Sequence, residues 1–249
     1  MKKLINLFLT AVSRISFGKI KNYYLLDYKP AYDEDGMATS HNAINNGDLK
    51  FTNAYNQGFL THSSYGNHLR WRVNIACKIA KYCNKLSGDF IELGTNRGLM
   101  ATSIINYNKI ERKNFFLVDT YAGRIKSMLT KNEKSFKGVP EYTDCYEFVK
   151  NNFKKKKYIK IIKGKLPDIL KKIKSKKFSF VHVDLNSSMA EILSIKIIWK
   201  KIEKGGVVLL DDYCYSGYED TKKAWDKFAL ETNIDIIALP TGQGVIIKN

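Results

Sequence analysis

From Asp89 onward, short apolar runs rich in Val, Ile and Phe alternate with helix-length amphipathic stretches, and that rhythm leaves little choice of architecture. The runs fall at 90–93, 115–118, 158–162, 178–183 and 206–210; the predicted helices fall at 97–107, 141–153, 166–174, 188–204 and 219–230. Apolar strands that alternate with helices require right-handed crossovers, which produce a mostly parallel sheet covered on both faces. The expected fold is α/β and doubly wound. The last segment departs from the rhythm. Residues 234–238 and 245–248 read as strands, and Leu239-Pro240-Thr241-Gly242-Gln243-Gly244 between them is too short for a crossover helix. Those two strands are expected as antiparallel neighbours, so the sheet ends with one reversed strand.

The 249 residues are 44% hydrophobic, enough for one large core, and only 4 are Pro, with no Pro/Ser/Gly-rich linker between two halves. One elaborated domain is expected at 68–249, entered by a helix at 68–86. Residues 1–67 read as an appended region. Polar clusters such as Asp33-Glu34-Asp35-Gly36 and Asn45-Asn46-Gly47-Asp48 alternate with aromatic residues there, as in a loop-rich lid with one or two short helices. At its start, Leu4, Ile5, Phe8, Leu9, Val12 and Ile15 share one helical face, with Lys2, Lys3, Asn6, Ser13 and Arg14 opposite. Asn6 interrupts the apolar run, which argues against a signal peptide. The reading favours packing against a partner subunit, hence a homo-oligomer, with peripheral membrane contact through residues 2–17 as the alternative.

The formal charge of +18 invites a nucleic-acid reading, but the excess is mostly lysine in runs within a chain rich in Lys, Asn, Ile and Tyr throughout. No RNA-binding aromatic motif, zinc finger or helix-turn-helix accompanies it, so no specific nucleic-acid partner is expected. Cys77, Cys83, Cys145 and Cys214 form no CxxC pair, which argues against a zinc site or a disulfide framework and suits a reducing cytoplasm. No apolar run reaches the roughly 18 residues of a membrane span.

Phe90-Ile91-Glu92-Leu93-Gly94-Thr95-Asn96-Arg97-Gly98 puts a carboxylate at a strand end, then a glycine where the backbone turns, then a second glycine at a helix start. A pyrophosphate at that helix start would be repelled by Glu92; a cationic sulfonium with a free amino group suits it better. Asp119 ends the second run, about 25 positions past Gly94, where an acid commonly grips a ribose; with Thr120 it would serve equally as a turn cap. Gly164-Lys165, after the third run, lies where an adenine edge would fall. Asp184 ends the fourth run and Asp211-Asp212 the fifth. Neighbouring parallel strands bring these three acids together, and a hard cation such as Mg²⁺ would relieve their repulsion, although strand-end Asp also caps helices. His182, two residues before Asp184, shares its face and is either a proton acceptor or a satisfied core histidine.

Taken in order, residues 90–98, Val118-Asp119-Thr120-Tyr121-Ala122-Gly123, Lys163-Gly164-Lys165-Leu166-Pro167, His182-Val183-Asp184 and 205–213 resemble the macrocin O-methyltransferase family over about residues 68–249. The resemblance implies a Rossmann-like, seven-stranded sheet with an antiparallel last strand and an S-adenosylmethionine-dependent enzyme. It implies a donor site at Glu92, Gly94, Thr95, Asn96, Arg97, Gly98, Asp119, Thr120, Gly164, Lys165 and Asp184, and Mg²⁺ at Asp184, Asp211 and Asp212. Catalysis would fall to Asp184, His182 and Asp211 on a sugar or other small hydroxylated metabolite. Members of that bacterial family also occur in surface-polysaccharide clusters, which implies a role in capsule or O-antigen biosynthesis. Leu185-Asn186-Ser187-Ser188 departs from the family, many of whose members carry a second Asp and a Tyr there. The competing readings are an NAD-dependent oxidoreductase, disfavoured by the glycine pattern and the terminal hairpin, and a nucleic-acid-binding protein or methyltransferase, disfavoured by the absence of an Asn-Pro-Pro-Tyr-type motif.

Overall fold

A computed structural model describes residues 30–41, 47–110 and 112–249. The amphipathic segment within residues 2–17 lies outside the described residues. The chain divides into two compact units at Gly47/Asp48, not at the 67/68 boundary expected from the sequence. In the first unit, β1 (Tyr32–Glu34) and β2 (Met37–Thr39) form an antiparallel hairpin. Its Asp35-Gly36 turn has φ of +53° and +72°, the two left-handed positions a two-residue hairpin turn demands.

The second unit starts with α1 (Leu49–Phe59), whose first turn is capped by the Asp48 carboxylate accepting from Phe51 N at 2.9 Å. The boundary moves because α1 belongs to the main core: Phe51, Ala54 and Tyr55 are buried there, and Gly58 lies so close to a later helix that a Cβ would stand 2.0 Å from Ser103 Oγ. Then follow α2 (Arg70–Cys83), β3 (Asp89–Leu93), α3 (Leu99–Tyr107), β4 (Phe115–Asp119), α4 (Lys131–Ser135), α5 (Tyr146–Phe153), β5 (Ile159–Lys163), β6 (Phe178–Val183), α6 (Ser188–Ile198), β7 (Ile202–Leu210), α7 (Glu219–Thr232), β8 (Ile237–Ala238) and β9 (Gly244–Ile247).

The seven-stranded sheet runs β5-β4-β3-β6-β7-β9-β8; β3 to β7 pair in parallel, and β9 is antiparallel to both of its neighbours. The expected α/β fold with its reversed last strand is thus the observed one. Strand order reverses between β3 and β6, and the carboxyl ends of those strands open the crevice where such sheets bind ligands.

Alternation along the strands, interrupted by the register shift between Phe178 and Phe180, sorts residues to two cores. Phe90, Phe115, Leu117, Phe180, Val207 and Leu209 face α1, α2, α3 and α5, whereas Ile91, Leu93, Val118, Val181, Val183 and Leu210 join residues of α6 and α7. By the same parity Glu92, His182 and the post-strand acids Asp119, Asp184 and Asp211 belong to the α2 side.

Three helix expectations are corrected. Residues 166–174 form only a 3₁₀ turn, Asp168–Lys172, because the backbone is already extended at Ile173 and Ser175 is bonded to Asp89 at the foot of β3. Residues 188–204 stop being helical at Ile198, pass through the 3₁₀ turn Trp199–Lys201, and enter β7 at Ile202. There Phe178 pairs with Ile202 but Phe180 with Val207, so a bulge takes up the charged residues that made this stretch look helical. Residues 141–145 are irregular, and α5 starts only at Tyr146.

Two predictions follow from this packing. Gly94 has φ +91°, and a Cβ there would stand 1.7 Å from the Asp184 carbonyl oxygen; Gly94→Ala is expected to cost about 3 kcal/mol in urea unfolding. Glu191 on α6 is buried, accepts from Trp225 Nε1 of α7 at 2.7 Å, and has its pKa pushed up by burial to about 8. The folded state then holds a proton that the unfolded chain releases near 4.5, so this contribution to stability is full below pH 4.5 and lost as pH rises toward 8. Glu191→Gln is expected to flatten that slope in melts taken across the range.

Candidate active site

The loop after β3 is shaped by backbone rather than side chains. Gly94 passes against the Asp184 carbonyl, Asn96 holds φ +49°, and Gly98, at φ +91°, opens α3. Asp119 ties this loop to the next: Oδ2 accepts from Asn96 N at 2.7 Å and Oδ1 from Tyr121 N at 2.8 Å, with Thr120 Oγ1 3.2 Å from Oδ1. Asp119 therefore does cap a turn, while its carboxyl oxygens keep further lone pairs for a ligand. Gly164 N donates to Asp119 O at 2.9 Å, which sets the exposed Lys165 beside that acid. Arg97 is anchored elsewhere, its Nε donating to Thr61 O at 2.7 Å and its guanidinium lying 4.1 Å from the Phe148 ring centre. Glu92 Oε2 and Thr95 Oγ1 are buried and find no hydrogen-bond partner among the described residues.

Beneath the loop, a line of buried charge crosses the sheet. Glu92 and His182 are register partners, with Glu92 Oε1 3.1 Å from His182 Nδ1. His182 Nε2 lies 3.6 Å from Asp211 Oδ1, an electrostatic contact too long for a hydrogen bond. Gln243 Nε2 donates to the same Oδ1 at 3.1 Å. Arg72, from α2, then donates through Nη1 to Asp211 Oδ2 at 2.8 Å, Asp211 O at 3.0 Å and Asp212 Oδ1 at 3.0 Å, and through Nη2 to Thr241 O at 3.2 Å.

These partners set the protonation states. Burial opposes ionisation of Asp211, but Arg72 and His182 outweigh it and hold the carboxyl well below its usual range. For His182, burial opposes the charge, yet Asp211 and Glu92 carry the pKa up to about 10. Burial raises the Glu92 carboxyl despite His182. Asp184, with no such cation bonded to it, is raised well above the ordinary value by burial and then by Asp211 and Asp212. Asp184, Asp211 and Asp212 bring one oxygen each within 4.8 Å of one another. Three hard oxygen donors at that spacing suit a divalent cation of the Mg²⁺ type.

Aromatic residues surround the acids. Tyr218 Oη donates to Asn186 Oδ1, and Asn186 Nδ2 to Asp184 Oδ1 at 2.9 Å. Burial raises the phenols of Tyr142 and Tyr218, and Asp184 and Asp212 add to it, so both keep their protons. Tyr215 lies against the Arg72 guanidinium, 5.2 Å from its ring centre, whereas Tyr213 turns away to Asp226 at 2.5 Å.

A family model described as Macrocin-O-methyltransferase (TylF) matches residues 54–238. The chain belongs to the macrocin O-methyltransferase family. It is accordingly an S-adenosylmethionine-dependent O-methyltransferase, and the oxidoreductase and nucleic-acid readings are set aside. No curated protein matches the chain significantly in sequence. Among solved structures, the O-methyltransferase NovP superposes with TM-score 0.61 at 16% identity, covering 72% of this chain and 79% of its own. CalS11, a calicheamicin methyltransferase, superposes with TM-score 0.58 at 11% identity, covering 89% and 99%. An O-methyltransferase from Bacillus cereus in complex with SAH gives TM-score 0.56 at 10% identity, covering 83% and 94%. At these identities the likeness is one of fold.

Sequence reading of this family member brought Glu92, the glycine loop, Asp119, His182 and the three acids to one crevice but missed what organises them. Arg72 carried a signal. On α2 it shares a stripe with Ala76 and Ala80, next to Val73 and Cys77, and an arginine at helical spacing within an apolar face requires a buried acid. The segment spanning α4 carried another, the Thr130-x-x-Glu133 capping box, with Glu133 N donating to Thr130 Oγ1 at 3.1 Å. Glu133 is buried; its Oε2 accepts from Thr130 N at 2.8 Å and its Oε1 from Ser188 N, at the start of α6, at 2.7 Å. Thr130 Oγ1 also donates to Asp220 on α7 at 2.6 Å.

Arg72→Met leaves the buried Asp211 and the half-buried Asp212 without their cation and is expected to cost about 3 kcal/mol, read by denaturant unfolding in EDTA. Added Mg²⁺ is expected to return part of that loss in the variant and to change the parent protein less.

Proposed function

We propose that this enzyme methylates a hydroxyl of a sugar or another small hydroxylated metabolite, with Mg²⁺ held by Asp184, Asp211 and Asp212, in surface-polysaccharide biosynthesis. The observation that carries the reading is the convergence of those three carboxylates within 4.8 Å beside the glycine loop at the strand-order reversal. The family match supports O-methylation, and one fold neighbour is described as a TDP-rhamnose 3'-O-methyltransferase, which favours a sugar acceptor.

For the donor, the glycine loop 94–98 supplies close backbone approach, Asp119 spare lone pairs for a ribose, and Gly164-Lys165 the edge beyond it. Glu92 Oε2 and Thr95 Oγ1, buried near each other without a well-formed hydrogen bond among the described residues, are groups that a cationic, amino-bearing ligand would satisfy. When bound, the donor supplies an electrophilic methyl group on a positively charged sulfur, and Mg²⁺ supplies a charge that lowers the acceptor hydroxyl's pKa.

The chain's own residues do the rest. Asp211 is locked by Arg72 and Gln243, so it fixes the site's geometry. Asp184 has no arginine bonded to it and, as the ionised carboxylate that the cation would favour, is the acid placed to take the acceptor proton. His182, 1% exposed between Glu92 and Asp211, acts as a positioning group that holds both acids. Tyr142 and Tyr218, protonated and flanking the acids, orient the acceptor. Methyl transfer needs the hydroxyl in line with the departing sulfur, so most of the rate gain comes from holding two substrates in register.

Asp184→Asn is expected to lower turnover of a sugar acceptor at least about a hundredfold. Calorimetry should show Mg²⁺ binding weakened and S-adenosylhomocysteine binding kept within a few-fold. Full turnover of the parent enzyme in EDTA would remove the metal from the mechanism.

A further inference from the structure

The parallel topology that gathers acids at one edge of the sheet gathers cations at the other. Every helix-to-strand connection arrives at the amino edge. There lie Arg112 and Lys113 before β4, the lysines at 154–157 before β5, Lys174, Lys176 and Lys177 before β6, and Lys200 and Lys201 before β7. Their strands start in register, Phe115 opposite Ile159 and Phe178 opposite Ile202, so these basic segments are neighbours in space.

At the middle of this edge is a groove of about 630 Å³ whose lining includes Ser87, Arg112, Lys113, Lys174, Ser175 and Lys176. Some of its charge is used by the fold. Lys113 Nζ donates to Leu86 O and to Gly88 O, the latter at 2.7 Å, and Lys177, also in the lining, pairs with Glu203 at 2.7 Å. The lining acid, Asp89, accepts from Asn114 N and Ser175 Oγ at 2.9 and 2.8 Å. Arg112, Lys174 and Lys176 are exposed and make no ion pair among the described residues. Three like charges on one concavity attract an anion.

We infer that the amino edge of the sheet docks on an anionic lipid surface, with a phosphate headgroup seated between Arg112, Lys174 and Lys176. The basic area continues on both sides of the groove, through the lysines at 154–157 and Lys200, which is more than one free phosphate compound would need and matches an extended anionic plane. The groove lining contains no aromatic residue, so it offers no platform for stacking nucleic-acid bases. Docking this edge directs the acidic crevice away from the bilayer, because the two lie at opposite ends of the strands.

The test is co-sedimentation of the full chain with vesicles of phosphatidylcholine, with and without phosphatidylglycerol. The protein is expected to sediment only with the anionic vesicles and to be released by high salt, as a surface attraction screened within a Debye length must be. Neutralising Arg112, Lys174 and Lys176 together (R112Q, K174Q, K176Q) is expected to weaken partitioning about a hundredfold, about fivefold per charge. Neutralising Lys131, Lys134 and Lys137, near the opposite edge, removes the same net charge and is expected to leave partitioning within about twofold. Equal loss in the two triple variants would overturn the proposal, because binding would then follow net charge alone. So would the absence of sedimentation. In that case calorimetric saturation by inorganic pyrophosphate would assign the groove to a free phosphate compound, and salt-sensitive retention on RNA, lost in the first triple variant, would assign it to nucleic acid.

Discussion

A single buried guanidinium makes the acidic mouth of this sheet compatible with folding. Asp211 and Asp212 end the same strand, and Asp184 ends the next; three carboxylates that close would drive one another toward protonation. Arg72 touches two of them and the carbonyl of Asp211 as well, while Gln243 takes another Asp211 oxygen. The consequence is a graded set of acids. Asp211 is held ionised, Asp184 is pushed the other way, and His182 keeps a proton because it stands between Glu92 and Asp211. Buried ion pairs are poor evidence of stability when they could be exchanged for hydrocarbon, but where the carboxylates are present the arginine is what lets them stay.

Strand parity explains why these groups meet at all. Glu92, His182 and Asp211 come from β3, β6 and the end of β7, and each falls on the α2 side because its neighbours in sequence fall on the other. A shift of one residue in any strand would send its polar group into the opposite core. The bulge at the start of β7 absorbs the extra residues between Phe178 and Phe180 pairing, so that Leu209 still stands opposite His182.

Much of this was legible in the chain. The run at 178–183 is the strand observed, because six consecutive buried residues rich in Val and Phe have no helical alternative at that length. The acids at 184, 211 and 212 were placed by strand ends alone. What stayed hidden depended on distance or on local competition. Arg72 stands 139 positions from Asp211, and no local pattern links them. The helix expected at 166–174 shrank to one turn because the extended backbone at Ile173 and the Ser175–Asp89 bond confined it. The capping box at Thr130 and the Asp35-Gly36 turn are readable signals of short elements within polar sequence.

Glu133 gives the segment over the crevice a particular behaviour. One carboxylate serves two helix beginnings, its own at Thr130 and that of α6 at Ser188, while Thr130 also reaches Asp220 on α7. Lifting the segment would strip an amide from α6 and a hydroxyl from Asp220 at the same moment, so partial opening forfeits nearly as much as full opening. The segment is therefore fastened to the starts of α6 and α7 as one cooperative unit.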